Sequence, residues 1–404
     1  YRFAMKARAT SGTGAVISGP EFANHDWRLS PEWKWYNFVF RVPEHISAGA
    51  VRLGQWEANG TFQFDAVAIC PVLPVHKQCD DNLVLGEGEL ISAQRYTFSA
   101  ILGHAVGVAH RPLHRATASV NTDRWVFYRD AEVVYRFQLP GIKLGAGTAE
   151  ININYVAGGT CQLQYSPDGQ QWHTLGQSDR VGAISAQVPP QPDGVVWLRI
   201  CSATGRGVFQ VNRILFSAEI STGAGGRLPQ QCIGKTWFLE LHAAASWLAV
   251  ERAVVRPVAG SGNQTLRLWV RNNAPGATKL TLSGELVDPD QTRRPLSTTH
   301  ATASEKQSAA LSVDLPVAKP GRSQAVLKLQ SDGPAAHTEP VELRVALELP
   351  EYHRADYGYL LPGDGKADLW WCEATHKVWP QRALPTERSE AAQFWAAKND
   401  WEAV

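Results

Sequence analysis

Fifteen tryptophans in 404 residues are the side chains most able to do recognition chemistry. An indole stacks its flat face on a sugar ring while its N–H finds a polar partner. Large β-sandwiches also use Trp as core filler, so position has to decide. Trp27 and Trp56 sit near loops, and Trp35 faces away from Tyr36, Phe38 and Phe40 by strand alternation. These three are the candidates to line a sugar groove, whereas Trp33 reads as a core residue at the entry to its strand. His104, His110 and His114 are spaced by six and four in a stretch that contains Gly107 and Pro112, which fits no zinc pattern. The six Cys contain no C-x-x-C pair. Cys70 with Cys79, or Cys161 with Cys201, could bond in an oxidising compartment, and buried free thiols account for them equally well.

The elements that must position these groups read as strands. Val133, Tyr135, Phe137 and Leu139 alternate with Val134, Arg136 and Gln138. Ile151, Ile153 and Tyr155 alternate with Asn152 and Asn154, and Leu266, Leu268 and Val270 with Arg267, Trp269 and Arg271. Gly and Pro fall mostly between such runs, as in Ser166-Pro167-Asp168-Gly169. The fold class expected is all-β, a string of antiparallel β-sandwich domains of jelly-roll and Ig-like kind. Breaks in composition at Pro71 to Asp81, Pro257 to Gly262 and Pro350 to Gly365 divide it into residues 1–75, 76–255, 256–350 and 351–404. Thirty-nine Lys and Arg against thirty-eight Asp and Glu leave a net charge of +1, without the electrostatic footprint of a nucleic-acid partner. No apolar run reaches the roughly eighteen residues of a membrane span. Tyr1, Phe3 and Met5 alternate with Arg2, Ala4 and Lys6 as though the chain began inside a strand, so it reads as a stretch of a longer polypeptide.

Three segments resemble known modules. Tyr1-Arg2-Phe3, Trp33-Lys34-Trp35-Tyr36-Asn37-Phe38-Val39-Phe40-Arg41-Val42-Pro43 and Gly60 to Ile69 resemble the later strands of jelly-roll carbohydrate-binding modules. That resemblance implies a structural calcium held in part by Asp65, with a strand-end cap as the other role for this carboxylate; no other cofactor is implied. Tyr165-Ser166-Pro167-Asp168-Gly169-Gln170-Gln171-Trp172 looks like the hairpin of galactose-binding-like sandwiches, with Trp172 folding back on the core. Leu266 to Asn273 with Ala274-Pro275 resembles the Ig-like or fibronectin-like spacers of bacterial extracellular enzymes.

The last segment is the most specific. Ala367-Asp368-Leu369-Trp370-Trp371-Cys372-Glu373-Ala374-Thr375-His376-Lys377-Val378, followed by Ala396 to Ala403, resembles the opening of the sandwich that precedes the catalytic barrel in glycoside hydrolase family 123. Asp400 stands where that family usually has Glu. The resemblance implies an extracellular or cell-surface protein and a parent chain related to N-acetylhexosaminidases, which use an adjacent Asp-Glu pair and the substrate's own acetamido group. No Asp-Glu dipeptide occurs between Pro350 and Val404, and Glu373, Glu387, Glu390 and Glu402 are scattered. The expected role is therefore a carbohydrate-binding and spacer region, with polysaccharide or glycoprotein glycan as partner. The alternative is a structural or interaction module of an extracellular assembly, with self-assembly left open. No residue of this stretch is expected to be catalytic, so the 404 residues alone should release no nitrophenol from aryl N-acetylhexosaminides above a buffer blank.

Overall fold

In the computed structural model the described residues are 1–349, apart from 80–81, 93, 101, 103–107, 192, 204–206, 224–225, 229–230, 235, 243–246, 258–263, 317–320 and 333–340, together with the backbone of 353–355, 358–361, 369–372 and 377–380. Every described element is a strand or a turn, and the fold is all-β, as the alternation predicts. No helix among the described residues is long and apolar enough to cross a membrane. The chain divides into two compact units, Tyr1–Thr236 and Trp237–Val404.

The first unit opens with β1 (Arg2–Pro20), β2 (Ala23–Trp27), β3 (Lys34–Val39), β4 (Val51–Cys70) and β5 (Val72–Gln78). There follow β6 (Val84–Leu85), β7 (Glu89–Ser92), β8 (Arg95–Ala100), β9 (Leu113–Ala116), β10 (Ser119–Asn121), β11 (Arg124–Tyr128) and β12 (Glu132–Phe137). It closes with β13 (Ile142–Gly158), β14 (Cys161–Ser166), β15 (His173–Ser178), β16 (Gly182–Val188), β17 (Val196–Ser202), β18 (Val208–Thr222) and β19 (Gln231–Ile233). One sheet runs β19-β7-β8-β18-β11-β10-β2-β1-β3, with β13 and β16 branching from β18 and β4 from β1; the other runs β15-β14-β17-β12-β9. Their facing residues form one core in which Val133, Tyr135 and Phe137 of β12 and Val196, Leu198 and Ile200 of β17 meet Phe209, Val211 and Phe216 of β18. The opening strands join this sheet through a parallel pairing of β2 with β10.

Alternation holds until a bulge interrupts it. Ile151 and Ile153 are buried, but the β13–β18 register shifts between Ile153 and Tyr155, and Tyr155 turns outward to 46 % exposure. The extra residue reverses the parity of everything after it. Neither expected cysteine pair forms. Cys79 bonds Cys232 across 153 residues of sequence, so it is not joined to Cys70. Cys161 lies opposite Ser202 and Cys201 opposite Gln162, which points the two thiols to opposite faces of the sheet.

In the second unit β20 (Thr236–His242), β21 (Leu248–Pro257), β22 (Gln264–Asn272), β23 (Thr278–Val287), β24 (Arg293–Pro295), β25 (Thr299–Ala303), β26 (Ser308–Leu315), β27 (Gly321–Ser331) and β28 (Val341–Leu349) form antiparallel ladders. One ladder is β20-β28-β27-β23, with β24 and β25 on β23, and another is β21-β22-β26. Leu266, Leu268 and Val270 are buried as predicted, while Trp269 on the other face lies between the guanidiniums of Arg252 and Arg267. Beyond them β29 (His353–Ala355), β30 (Gly358–Leu361), β31 (Leu369–Cys372) and β32 (Lys377–Pro380) form an antiparallel meander in which Trp370 pairs Trp379. The Ala396 to Ala403 stretch lies outside the described residues.

A buried charge cluster locks the first unit. Glu89, 1 % exposed, accepts hydrogen bonds from the Gly86 N–H (2.6 Å), the Tyr96 hydroxyl (2.7 Å) and Arg111 Nε and Nη2 (2.7 and 2.5 Å). Burial opposes the Arg111 charge, but Glu89 beside it more than compensates and raises its pKa. Burial, then Glu89, raises that of the Tyr96 phenol well above its usual value. Removing one partner of such a pair strands the other charge without water. Glu89→Gln should cost about 3–5 kcal/mol in chemical denaturation. Arg213→Gln, which breaks the exposed pair with Glu150, should cost less than about 1 kcal/mol.

Candidate functional site

The candidate site is the outer face of β3, β1 and β4. Phe3, Met5 and Ala7 point inward with Phe38 and form a core against which Tyr36, Phe64 and Trp27 pack. Lys6 and Arg8 therefore point outward. Lys6 lies opposite Trp35 on β3 and opposite Asp65 on β4, and Arg8 lies opposite Gln63. The Arg8 Nε donates to Gln63 Oε1 at 2.7 Å. Trp35 is 57 % exposed, on the outward face that strand alternation assigns it.

Trp33 departs from its expected core position. It lies outside β3, 36 % exposed, with the Arg8 guanidinium 4.8 Å and the Lys6 ammonium 5.8 Å from its ring centre. The cation–π contacts hold this ring on the outer face beside Trp35. The face thus combines an open indole with amide, ammonium and carboxylate groups. Stacking and hydrogen bonding to a sugar ring need those two kinds of group. The sequence reading missed Trp33, Lys6, Arg8 and Gln63, although the Phe3-Met5-Ala7 alternation already assigns Lys6 and Arg8 to the open face.

Trp27 does not join this face. Trp27 is half-buried on the core side, stacked on His25 at 4.0 Å and edge-on to Tyr36 at 5.4 Å. Trp56 lies opposite Ala15 in the β1–β4 ladder, and its side chain is outside the described residues. Asp65 is exposed, and its Oδ1 accepts the Ala66 N–H at 2.8 Å. This bond sits where β4 bulges, Ala66 adopting a φ of 49° between the Lys6–Asp65 and Ala4–Ala68 pairs. Calcium takes six to eight oxygens. One carboxylate facing Lys6 does not supply them, so the groups described here do not fit that ion. Among the described residues no three His, Cys, Asp or Glu side chains converge as metal ligands.

A second aromatic face lies on the five-stranded sheet. Trp172 rests against the Arg199 guanidinium at 4.3 Å, on the outer side of β17 and not in the core as expected. Arg199 donates to Gln164, which donates in turn to Gln162. Trp197 lies between His114 and Arg136. Gly169 of the Pro-Asp-Gly turn has a φ of +76°, and a Cβ there would come 3.1 Å from the Trp197 ring. These indoles cover their own sheet and are largely occupied. His104 falls outside the described residues.

No protein-family model and no curated protein matches this chain. Solved structures with partial likeness are glycoside hydrolases. A GH2 beta-galacturonidase from Eisenbergiella tayi shows 12 % identity and a TM-score of 0.22, over 59 % of this chain and 39 % of its own. A Bacteroides uniformis beta-glucuronidase shows 14 % and 0.22 over 56 % and 26 %, and an exo-chitosanase from Amycolatopsis orientalis 10 % and 0.22 over 62 % and 28 %. The chain spans well under half the length of each. Likeness this slight says nothing of what the chain binds.

His25 makes the region pH-sensitive. Burial against Trp27 lowers its pKa from 6.5, outweighing the Asp26 carbonyl and carboxylate that favour the charged ring. The unfolded chain then binds the proton more readily than the folded one, so stability falls as pH drops below 6.5 and levels off below the depressed folded value. His114, lowered by burial and then by Arg136, Arg115 and Arg41, acts in the same direction. Thermal melts across this range should show Tm falling with acid, and His25→Gln should reduce the slope.

Proposed function

We propose that this chain binds glycan through the Trp35 face and serves as a carbohydrate-binding and spacer region of a secreted, glycoside hydrolase-like protein. The observation that carries the reading is Trp35, exposed to 57 % on a sheet face and set in register with Lys6 and Asp65. An indole held open on a rigid strand leaves its ring face available for stacking, and the neighbouring polar groups can fix a sugar's hydroxyls. The Cys79–Cys232 bond supports an extracellular or cell-surface setting, where disulfides persist.

A second reading, an interaction module that binds no sugar, draws on β4. Val51, Leu53, Val67 and Ile69 all stand exposed on it, and apolar side chains along a strand invite another protein. The two readings part in affinity electrophoresis against a panel of neutral and acidic polysaccharides. Glycan binding predicts retardation by at least one polymer and about tenfold weaker retention for Trp35→Ala, with Tm unchanged because the ring is exposed. Absence of retardation throughout the panel would leave the interaction module.

A further inference from the structure

A cavity of about 410 Å³ in the first unit, separate from the Trp35 face, is lined by Tyr1, by Val39 at the end of β3 with the Phe40–Val42 segment after it, by β5 and by the 108–113 segment. Its charged and titratable lining is Arg41, His76, His110, Arg111 and Tyr1, whose ammonium donates to the Phe40 carbonyl at 2.9 Å; the lining residues include no Asp or Glu, and Phe40 and Leu113 supply apolar wall. The volume falls within the range of clefts that take small molecules. We propose that this cavity binds the carboxylate of a uronic-acid-type sugar. The carboxylate rests on the cavity's own lining. Only the sugar ring that bears it rests on the glycan reading above.

Arg111 is the fixed element. Its Nε and Nη2 are held by Glu89 and its Nη1 by the Gln138 carbonyl, which leaves two of the five guanidinium N–H groups on a side chain that cannot swing away. Arg41 is the adjustable element, exposed and without an ion pair among the described residues. His76 is oriented by the Thr236 hydroxyl, 3.1 Å from its Nδ1. His110, 3 % exposed, stands edge-on to Phe98 at 5.5 Å. Because Glu89 already balances Arg111, the uncompensated side-chain charge that draws an anion is that of Arg41, reinforced by Arg136; both act on nearby His114, where Glu44 opposes them. A forked guanidinium matches a carboxylate's two oxygens, while the apolar wall meets the ring's C–H face.

The test is calorimetric titration of the full chain with glucuronate and with glucose, repeated on Arg41→Ala, Arg41→Lys and Trp35→Ala. The cavity reading expects glucuronate to bind at least tenfold more tightly than glucose and less tightly as salt rises. It expects Arg41→Ala to lose that preference, Arg41→Lys to keep part of it, and Trp35→Ala to leave it unchanged. Equal binding of the two sugars, no glucuronate binding, or a preference that survives Arg41→Ala would overturn it. Polysaccharide retention that depends on Trp35, found without glucuronate binding, would sink the cavity and leave the glycan face standing. Glucuronate binding that depends on Arg41, found without polysaccharide retention, would do the reverse.

Discussion

The Glu89 carboxylate is the point on which the first unit's geometry turns. A buried anion must find donors or lose several kcal/mol of solvation, and this one finds four, from Gly86, Tyr96 and two nitrogens of Arg111. Those donors come from the turn before β7, from β8 and from the segment before β9, so one carboxylate fixes the relative placement of three pieces of chain. The strand that carries it is secured on its other side as well. β19 pairs with β7, setting Cys232 opposite Ile91, and Cys232 is tied to Cys79. Arg111 therefore reaches the cavity wall as a braced group, which gives an exposed arginine such as Arg41 a fixed partner to work with.

Sheet parity decides what the aromatic residues do. In the β1, β3 and β4 ladder one face packs Phe3, Phe38 and Phe64 while the other carries Lys6, Trp35 and Asp65. A ring one position away would be core. Much of this was legible in the sequence, because period-two alternation assigns Trp35, Lys6 and the buried Leu266-Leu268-Val270 stripe from local pattern alone. What escaped lies where local pattern has no authority. Trp33 precedes its strand, so alternation does not reach it, and its position follows from cations on a neighbouring strand. Tyr155 follows a register shift that only the pairing with β18 reveals. Cys79 meets Cys232 through a contact 153 residues long, beyond any reading by spacing. The cavity gathers residues from four separate stretches, and none of them forms a motif.

The Pro-Asp-Gly hairpin shows how a strong motif can mark fold without marking function. Asp168 accepts N–H bonds from Gln170 and Gln171, a turn held by its own side chain. Gly169 then comes down on Trp197, and Trp172 on Arg199. Both indoles are engaged in covering the polar outer face of β17 and β14. Trp35 differs in having an open ring face, and the availability of that face separates a candidate binding residue from a structural one, whatever the abundance of Trp suggests.

A net charge of +1 conceals an uneven distribution. Several charges are cancelled locally: Arg111 by Glu89, Arg294 by Asp288, and one of the two guanidiniums, Arg199 and Arg115, that share Glu132. Those pairs fix geometry and contribute little field at a distance. The charges that can attract a ligand are the ones left over, and in the first unit they include Lys6 and Arg8 beside Trp33 and Arg41 at the cavity. The two places differ in depth, one an open sheet face and the other a hollow of about 410 Å³. An open face can follow a polymer along successive residues, whereas a hollow can select a single acidic one, so under the two proposals made above the two places act on different features of one ligand.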